Sequence, residues 1–227
     1  MKQIHAIIFD WGGVLAEDPA PGLVKYCAKA IGVSEDQYKQ AYNICMDDFQ
    51  TGRVTERQFW ANMTTRLNAR LGKSCRPASP ARLDSPQRGE RSRVPMPKAN
   101  SLWGDAFAAV YVPRHEMFSL AARLHKAGCK TAILSNTEKP VVEFFPKQTY
   151  DAFDVVVLSC LEGVSKPQRK IYEITLDRLG TSAEQTLFID DRQDYIDGAK
   201  LVGIKTILFK DVVRLKKDLA RFSLNVV

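Results

Sequence analysis

Four groups of polar residues, most of them at the end of an apolar run, could together handle a phosphate group. They are Asp10, the pair Ser135 and Asn136, Lys166, and the pair Asp190 and Asp191. A carboxylate can attack phosphorus as a nucleophile, and further carboxylates can hold a divalent cation that offsets the negative charge. A lysine acts as a point charge towards phosphate and carboxylate. These residue types therefore predict phosphoryl chemistry.

Short apolar runs lead into three of these groups. Residues 4–9, 131–134 and 186–189 are rich in β-forming residues and are each stopped by polar ones, which predicts buried strands. Open α/β sheets place their ligands at the carboxyl ends of such strands. The alternative for Asp10 alone is that it caps the next turn, but three similarly placed partners favour a functional site.

The second half of the chain alternates between strand and helix patterns. This alternation predicts an α/β fold with a parallel sheet and right-handed crossovers. We expect strands at 130–135, 154–159, 186–190 and 204–209, with helices at 138–147, 167–179 and 194–202. Residues 16–71, in contrast, show only helical spacing of apolar residues. A block of helices is thus inserted directly after the first strand.

The order and spacing of the four motifs resemble the haloacid dehalogenase-like (HAD) hydrolase superfamily, and most of all its bacterial phosphatase-like branch with a small helical (C1-type) cap. The resemblance covers nearly all of the chain except about residues 73–100. The matching segments are Phe9-Asp10-Trp11-Gly12-Gly13-Val14, Leu134-Ser135-Asn136-Thr137, Lys166-Pro167 through Ile171-Tyr172, and Asp190-Asp191 through Gly198-Ala199. Four ordered motifs are far more specific than any one of them.

The resemblance implies a role for each motif residue. Asp10 would be the nucleophile that forms an aspartyl-phosphate, with Lys166 as the second catalytic residue. Ser135 and Asn136, together with Lys166, would bind the phosphate, the first two through side chain and backbone. The metal would be Mg²⁺, and its ligands would be Asp10, the Gly12 carbonyl, Asp190 and Asp191. The fold implied is a Rossmann-like core with an inserted helical cap.

Two positions depart from patterns common in the family. Many members carry a second aspartate two residues after the nucleophile as a general acid and base, where this chain has Gly12. We therefore expect a preference for good leaving groups, unless Glu17 or Asp18 supplies the proton. Tyr195 stands where the branch often has asparagine, which removes a metal-supporting partner unless Asp194 replaces it.

The predicted domain division follows the motifs. Residues 1–15 and 101–227 would form the core, and residues 16–72 the cap. Residues 73–100 are rich in arginine, proline and serine, which predicts a disordered insertion in the cap. A frame-shifted stretch or a basic tether for RNA or an acidic surface are the alternatives. This segment also carries most of the excess positive charge, because residues 73–98 hold seven basic and two acidic side chains of a chain whose net charge is +7.

Composition limits the partners and the compartment. The five cysteines are scattered and form no C-x-x-C pair, which is typical of a reducing compartment and disfavours a zinc site. No run of 18 apolar residues and no signal-peptide pattern occur, so we expect a cytoplasmic protein without a membrane partner. The basic segment lacks aromatic residues for base stacking, so nucleic acid is not expected as a partner. We expect a small phosphate ester as substrate, and a monomer or weak dimer.

Three hypotheses for function follow. The first is a Mg²⁺-dependent phosphatase that acts on a small phosphorylated metabolite such as a sugar phosphate. The second is a catalytically weak HAD-like binding or regulatory protein, which Gly12 and Tyr195 favour. The third is a 2-haloacid dehalogenase, which would use Asp10 without a metal, although the Asp190-Asp191 pair disfavours it.

Overall fold

A five-stranded parallel sheet forms the centre of the protein, which we describe from a computed structural model. The structure describes residues 3–73, 93–97, 100–142, 144 and 151–224. The strands are β1 (Ala6–Phe9), β2 (Lys130–Ser135), β3 (Val155–Leu158), β4 (Thr186–Asp190) and β5 (Lys205–Leu208), in the spatial order β3-β2-β1-β4-β5. The predicted parallel α/β sheet is confirmed.

The pairing register places three of the chemical motifs side by side. Phe9 of β1 pairs with Ile133 of β2 on one side and with Ile189 of β4 on the other. Asp10 follows Phe9, and its backbone N–H donates to the Ile189 carbonyl at 2.9 Å. Because all strands run in the same direction, Asp10, Ser135 and Asp190 meet at one edge of the sheet.

Helices cover both faces of this sheet. Helices α5 (His115–Lys126) and α10 (Val212–Ala220) bury apolar residues in the same cluster as Ile7 and Phe9. Helices α8 (Arg169–Leu179) and α9 (Gln193–Val202) pack against Ile8 and Phe188 on the opposite face. Strands buried on both faces read as continuous apolar runs, which is how β1 and β4 appear in the sequence.

The helical block after β1 contains α1 (Ala20–Ile31), α2 (Glu35–Gln50) and α3 (Glu56–Lys73). A capping box starts α2, because the Ser34 hydroxyl accepts the Gln37 N–H while the Gln37 side chain accepts the Ser34 N–H. Helix α4 (Leu102–Val110) packs against α1, and its Trp103 contacts aromatic rings of α2 and α3. We therefore group α4 with the cap helices, although its residues lie in the segment predicted as core.

Most of the predicted insertion lies outside the described residues, but its end does not fit the prediction of disorder. Val94 is buried, and its backbone N–H donates to Asn68 Oδ1 of α3 at 2.9 Å. The Thr64 hydroxyl contacts the Met96 sulfur at 3.7 Å. This short stretch therefore contacts α3 through the buried Val94 and its hydrogen bond to Asn68, whereas the Met96 side chain is exposed.

Three short segments complete the described elements: helices α6 (Lys139–Val142) and α7 (Ser159–Glu162), and a 3-10 helix at Ala183–Gln185. The helix predicted at 138–147 is seen only as α6, and part of its remaining length lies outside the described residues. Among the described residues, no helix is both long enough and apolar enough to cross a membrane.

Candidate active site

Lys166 is the centre of a buried charge cluster at the carboxyl edge of the sheet. Its Nζ lies 2.7 Å from Asp10 Oδ1 and 2.7 Å from Asp190 Oδ2. The side chains of Lys166 and Asp190 are fully buried, and that of Asp10 is nearly so. Asp191 completes the cluster, since carboxylate oxygens of Asp10, Asp190 and Asp191 all lie within 4.8 Å of one another.

The cluster holds more negative than positive charge. Burial raises the pKa of Asp10 most strongly, Lys166 lowers it, and Asp190 and Asp191 raise it further, so that it reaches about 7. Burial alone would lower the pKa of Lys166, but the two carboxylates raise it above its ordinary value and keep the ammonium charged. Burial and the neighbouring Asp190 also raise the pKa of Asp191. A divalent cation would favour all three ionised carboxylates.

The residues present fit a magnesium ion. Mg²⁺ prefers oxygen ligands and is usually held by one or two carboxylates while it keeps several waters. The oxygens of Asp190 are already engaged, because Oδ2 faces Lys166 and Oδ1 accepts the Arg192 N–H at 2.8 Å. The second oxygen of Asp10 and the Asp191 carboxylate are thus the better direct donors.

Gly13 lies directly against the cluster. Its φ angle is +92°, a conformation that L side chains rarely adopt, and a Cβ at this position would come within 2.4 Å of Asp191 Oδ2. The chain therefore needs glycine here for two reasons: the backbone turns in the left-handed region, and the Asp191 carboxylate takes the space of a side chain.

Arg114 holds the loop that contains these glycines. Its guanidinium donates to the carbonyls of Gly13 and Ala16, the latter at 2.9 Å, and its backbone N–H donates to the Leu15 carbonyl at 2.9 Å. The guanidinium also lies 5.7 Å from the Phe209 ring centre. The sequence does not predict this role, since an arginine before an amphipathic helix carries no recognisable signal.

Asn136 occupies the predicted place, but its side chain has another function than predicted. Its Oδ1 accepts the Lys166 N–H at 2.9 Å, and its Nδ2 donates to the Lys166 carbonyl at 3.0 Å and contacts the Tyr195 hydroxyl at 3.1 Å. The side chain therefore fixes the backbone of Lys166 and does not point its amide at a phosphate. A contact from the backbone N–H of Asn136 remains a prediction.

Tyr195 supports the lysine rather than a metal. The centre of its ring lies 4.7 Å from Lys166 Nζ and 4.2 Å from the Arg192 guanidinium carbon, so the ring lies close to two cations. The suggested replacement by Asp194 is wrong, because its carboxylate is half exposed and binds the Arg192 side chain at 2.8 Å. The position thus helps to place Lys166.

A cavity of about 150 Å³ adjoins the cluster. Its lining on the sheet side includes Asp10, Ser135 and Lys166, so Ser135 lies where the prediction placed it. Tyr42 and Gln50 of α2 line the opposite side. Typical small-molecule pockets span roughly 300–1,000 Å³, so this cavity suits a small ligand.

Glu138 also lines this cavity and was not identified from the sequence. It is 5% exposed, and its Oε2 accepts the Trp103 indole N–H at 2.9 Å. Burial raises the pKa of Glu138 to about 7, although hydrogen bonds from Trp103 and Gln50 lower it. The only available signal was an acid placed three residues after Ser135, at the carboxyl edge of a predicted strand.

The chain is similar to several known proteins. A family model described as haloacid dehalogenase-like hydrolase matches residues 4–203. The bifunctional epoxide hydrolase 2 of Rattus norvegicus is 24% identical over 97% of the chain, which covers 39% of that protein. The glyceraldehyde 3-phosphate phosphatase of Pyrococcus abyssi (strain GE5 / Orsay) is 35% identical over 39% of the chain and 38% of its own length. The chain thus spans well under half of the length of either relative.

A solved structure with a similar fold is the HAD family enzyme bt-2542 from Bacteroides thetaiotaomicron, in complex with magnesium and inorganic phosphate. It superposes with a TM-score of 0.65 and 18% identity, over 93% of this chain and 98% of the other. At this identity the likeness establishes the fold alone.

Proposed function

The chain belongs to the haloacid dehalogenase-like hydrolases, and within that family we propose that it is a Mg²⁺-dependent phosphatase of a small phosphorylated metabolite such as a sugar phosphate. The observation that carries the proposal is the cluster in which Lys166 bridges Asp10 and Asp190 while Asp191 lies within 4.8 Å. One nucleophile, one cation and two further carboxylates are the parts that phosphoryl transfer needs.

Asp10 is the nucleophile in this proposal. One of its carboxylate oxygens forms a bond to phosphorus as the bond between phosphorus and the leaving oxygen breaks, which gives an aspartyl-phosphate. Water then attacks that phosphorus, and inorganic phosphate leaves as the Asp10 carboxylate is restored. Splitting hydrolysis into two steps replaces one difficult reaction with two easier ones.

Lys166 and the residues after β2 orient the phosphoryl group. The Lys166 ammonium stays charged between two carboxylates and offsets the charge of the nucleophile and of the transferred group. Ser135 and the backbone N–H of Asn136 donate hydrogen bonds to the phosphate oxygens. The Asn136 side chain and the Tyr195 ring keep Lys166 in place.

Magnesium would be held by Asp10, the Gly12 carbonyl and Asp191, with Asp190 acting through a water. When bound, the ion neutralises charge on the phosphoryl oxygens and fixes their orientation. Three adjacent carboxylates favour this hypothesis over a metal-free dehalogenase, because one lysine alone leaves them undercompensated.

The test is a panel of small phosphate esters assayed with and without Mg²⁺, using wild type and Asp10→Asn. We expect hydrolysis that requires Mg²⁺ and that the variant loses almost entirely, since an amide is not a nucleophile of comparable strength. The substitution is nearly isosteric, so circular dichroism and thermal unfolding should report an intact fold.

Other outcomes separate the remaining hypotheses. Activity of Asp10→Asn near that of wild type would contradict the nucleophile assignment. Release of halide from 2-haloacids without metal would favour a dehalogenase. Binding of phosphate esters without turnover would favour a regulatory protein.

A further inference from the structure

Glu138 has no task in the proposed reaction, yet it is a buried carboxyl group beside the reacting residues. It is 5% exposed, and it follows the loop that contains Ser135 and Asn136. Carboxyl groups are rarely buried without partners because their desolvation is costly. Glu138 should therefore have hydrogen-bond partners, and its position beside the nucleophile points to a function in the site.

The partners of Glu138 come from the helices that cover the site. Trp103 of α4 donates its indole N–H to Oε2 at 2.9 Å, and the Gln50 side chain at the end of α2 also hydrogen-bonds to the carboxyl group. The carboxyl group thus lies at the boundary between the sheet edge and the helical block. Two hydrogen bonds from separate helices fix its orientation.

The cavity that Glu138 lines is the one that contains the nucleophile. Asp10, Ser135 and Lys166 line it together with Glu138, and Gln50 and Tyr42 of α2 line it as well. A volume of about 150 Å³ is close to that of an engineered cavity, likewise about 150 Å³, that holds one benzene molecule. Unlike that enclosed cavity, this one is partly open to solvent, and its small volume favours a short leaving group beside a phosphoryl group at Asp10.

We propose that Glu138 determines specificity by accepting a hydrogen bond from a hydroxyl group of the leaving group, so that the substrate is the phosphate ester of a small polyol. This inference rests on the proposed phosphatase function. A purely apolar leaving group would displace water from the carboxyl group without replacing its hydrogen bonds.

The apolar part of the lining agrees with a short carbon chain. Leu23 of α1 and Phe107 of α4 line the cavity and offer a surface for methylene groups. Polar groups at one position and apolar groups beside it are the usual composition of a small-ligand site. A three-carbon polyol presents both kinds of surface.

The experiment compares glycerol phosphate with n-propyl phosphate, two esters of equal chain length that differ in hydroxyl groups. For wild type we expect kcat/KM to favour glycerol phosphate by roughly 10–100-fold, the effect of leaving one buried polar group without its hydrogen-bond partner. Glu138→Leu should bring this ratio close to 1, mainly through loss of activity on glycerol phosphate. Glu116→Leu, at an exposed position of α5, serves as the matched control and should leave the ratio unchanged.

A second variant distinguishes a loss of specificity from a loss of the folded structure. Glu138→Gln keeps a carbonyl oxygen that can accept both the Trp103 N–H and a substrate hydroxyl, so most of the selectivity should remain. Equal losses on both esters in Glu138→Leu and Glu138→Gln would show a structural role and overturn the inference.

Different results would overturn the inference about Glu138 and the proposed phosphatase function. If wild type hydrolyses both esters at equal rates, the inference is overturned while the phosphatase function stands. If no phosphate ester in a wider panel is hydrolysed with Mg²⁺, the phosphatase function is overturned and the inference with it.

Discussion

Position 12 offers no side chain, so a proton for the leaving oxygen must come from elsewhere. Glu17 is exposed and does not belong to the cavity lining. Asp18 does line the cavity, but it is exposed and its Oδ1 accepts the Ala20 N–H at 3.0 Å at the start of α1. Neither carboxylate has the buried, fixed position that a general acid needs.

We therefore predict a strong dependence of rate on the leaving group. Aryl and acyl phosphates should exceed alkyl phosphates of similar size by on the order of 10²-fold in kcat/KM, because a positioned acid typically contributes 10²–10⁴-fold. The measurement is a plot of log kcat/KM against leaving-group pKa for wild type and Asp18→Asn. A flat plot, with chemistry rate-limiting, would show that another residue donates the proton, and a steeper slope in Asp18→Asn would identify it.

The buried carboxyl group of Glu138 also predicts a pH dependence of stability. Its pKa is raised from 4.5 to about 7, so the folded protein retains a proton that the unfolded chain has lost in this range. The contribution of Glu138 to the free energy of unfolding should therefore fall as the pH rises from about 4.5 to 7.

Replacement of Glu138 by glutamine should remove that dependence. We expect the stability of wild type relative to Glu138→Gln to fall by about 2–3 kcal/mol between roughly pH 5 and 8. Urea denaturation of both proteins at the two pH values measures the difference, with Glu116→Gln as the exposed control. A difference that does not change with pH would contradict a raised pKa.

The loop between β1 and α1 is as important for the geometry of the site as the strands. It turns at Gly13, which lies directly against the Asp191 carboxylate, and it is held by the Arg114 guanidinium. This arrangement predicts that the loop controls metal affinity, because contacts that hold the metal-binding carboxylates in place typically change that affinity by roughly 10–100-fold.

The chain offers a matched pair of glycines to test this. Gly13 and Gly128 have φ angles of +92° and +93°, but only Gly13 is crowded, since nothing lies within 4 Å of a Cβ at Gly128. Both alanine variants suffer the same backbone strain, whereas only Gly13→Ala displaces Asp191. We expect Gly13→Ala to weaken Mg²⁺ binding at least 10-fold in isothermal titration calorimetry and Gly128→Ala to leave it unchanged. Equal affinities would contradict the role of the loop.

Sequence patterns predicted the elements well where a local signal dominates. Strands β2 and β4 begin and end where the apolar runs and the polar residues after them indicated. The motif residues Asp10, Lys166, Asp190 and Asp191 meet because parallel strand ends share one edge. Glu138 and Arg114 could not be predicted, because their importance depends on contacts from Trp103 and from backbone carbonyls that are distant in sequence.

The protein combines a sheet core with a helical block, and residues 93–97 contact helix α3 of this block. Val94 anchors this stretch to α3, whereas residues 74–92 lie outside the described residues. The division into a core and a cap remains our proposal, with α4 added to the cap. Residues 93–97 should accordingly matter for stability even if the preceding segment does not.

Two variants separate these parts. Replacement of residues 74–92 by a short Gly/Ser linker should change Tm by only a few degrees, since the composition of this segment cannot form a core. Val94→Asp should lower Tm by roughly 5–10 °C, because it buries a charge without a partner. Differential scanning calorimetry measures both, and a broad or strongly lowered transition in the linker variant would show that residues 74–92 pack.

The pairing of β1 with both β2 and β4 has a consequence for how this protein can evolve. Successive residues of a strand point to opposite faces, so the gain or loss of one residue within β1 or β4 would turn Asp10 or Asp190 away from Lys166. In the connections, apart from the Gly12–Gly13 turn and the loop that carries Lys166, no such constraint applies, and a lineage can lengthen, shorten or exchange those segments while the reacting atoms stay aligned. Insertions and deletions in descendants should therefore accumulate in the connections and be absent from the strands, so that new substrates arise without the chemistry being rebuilt.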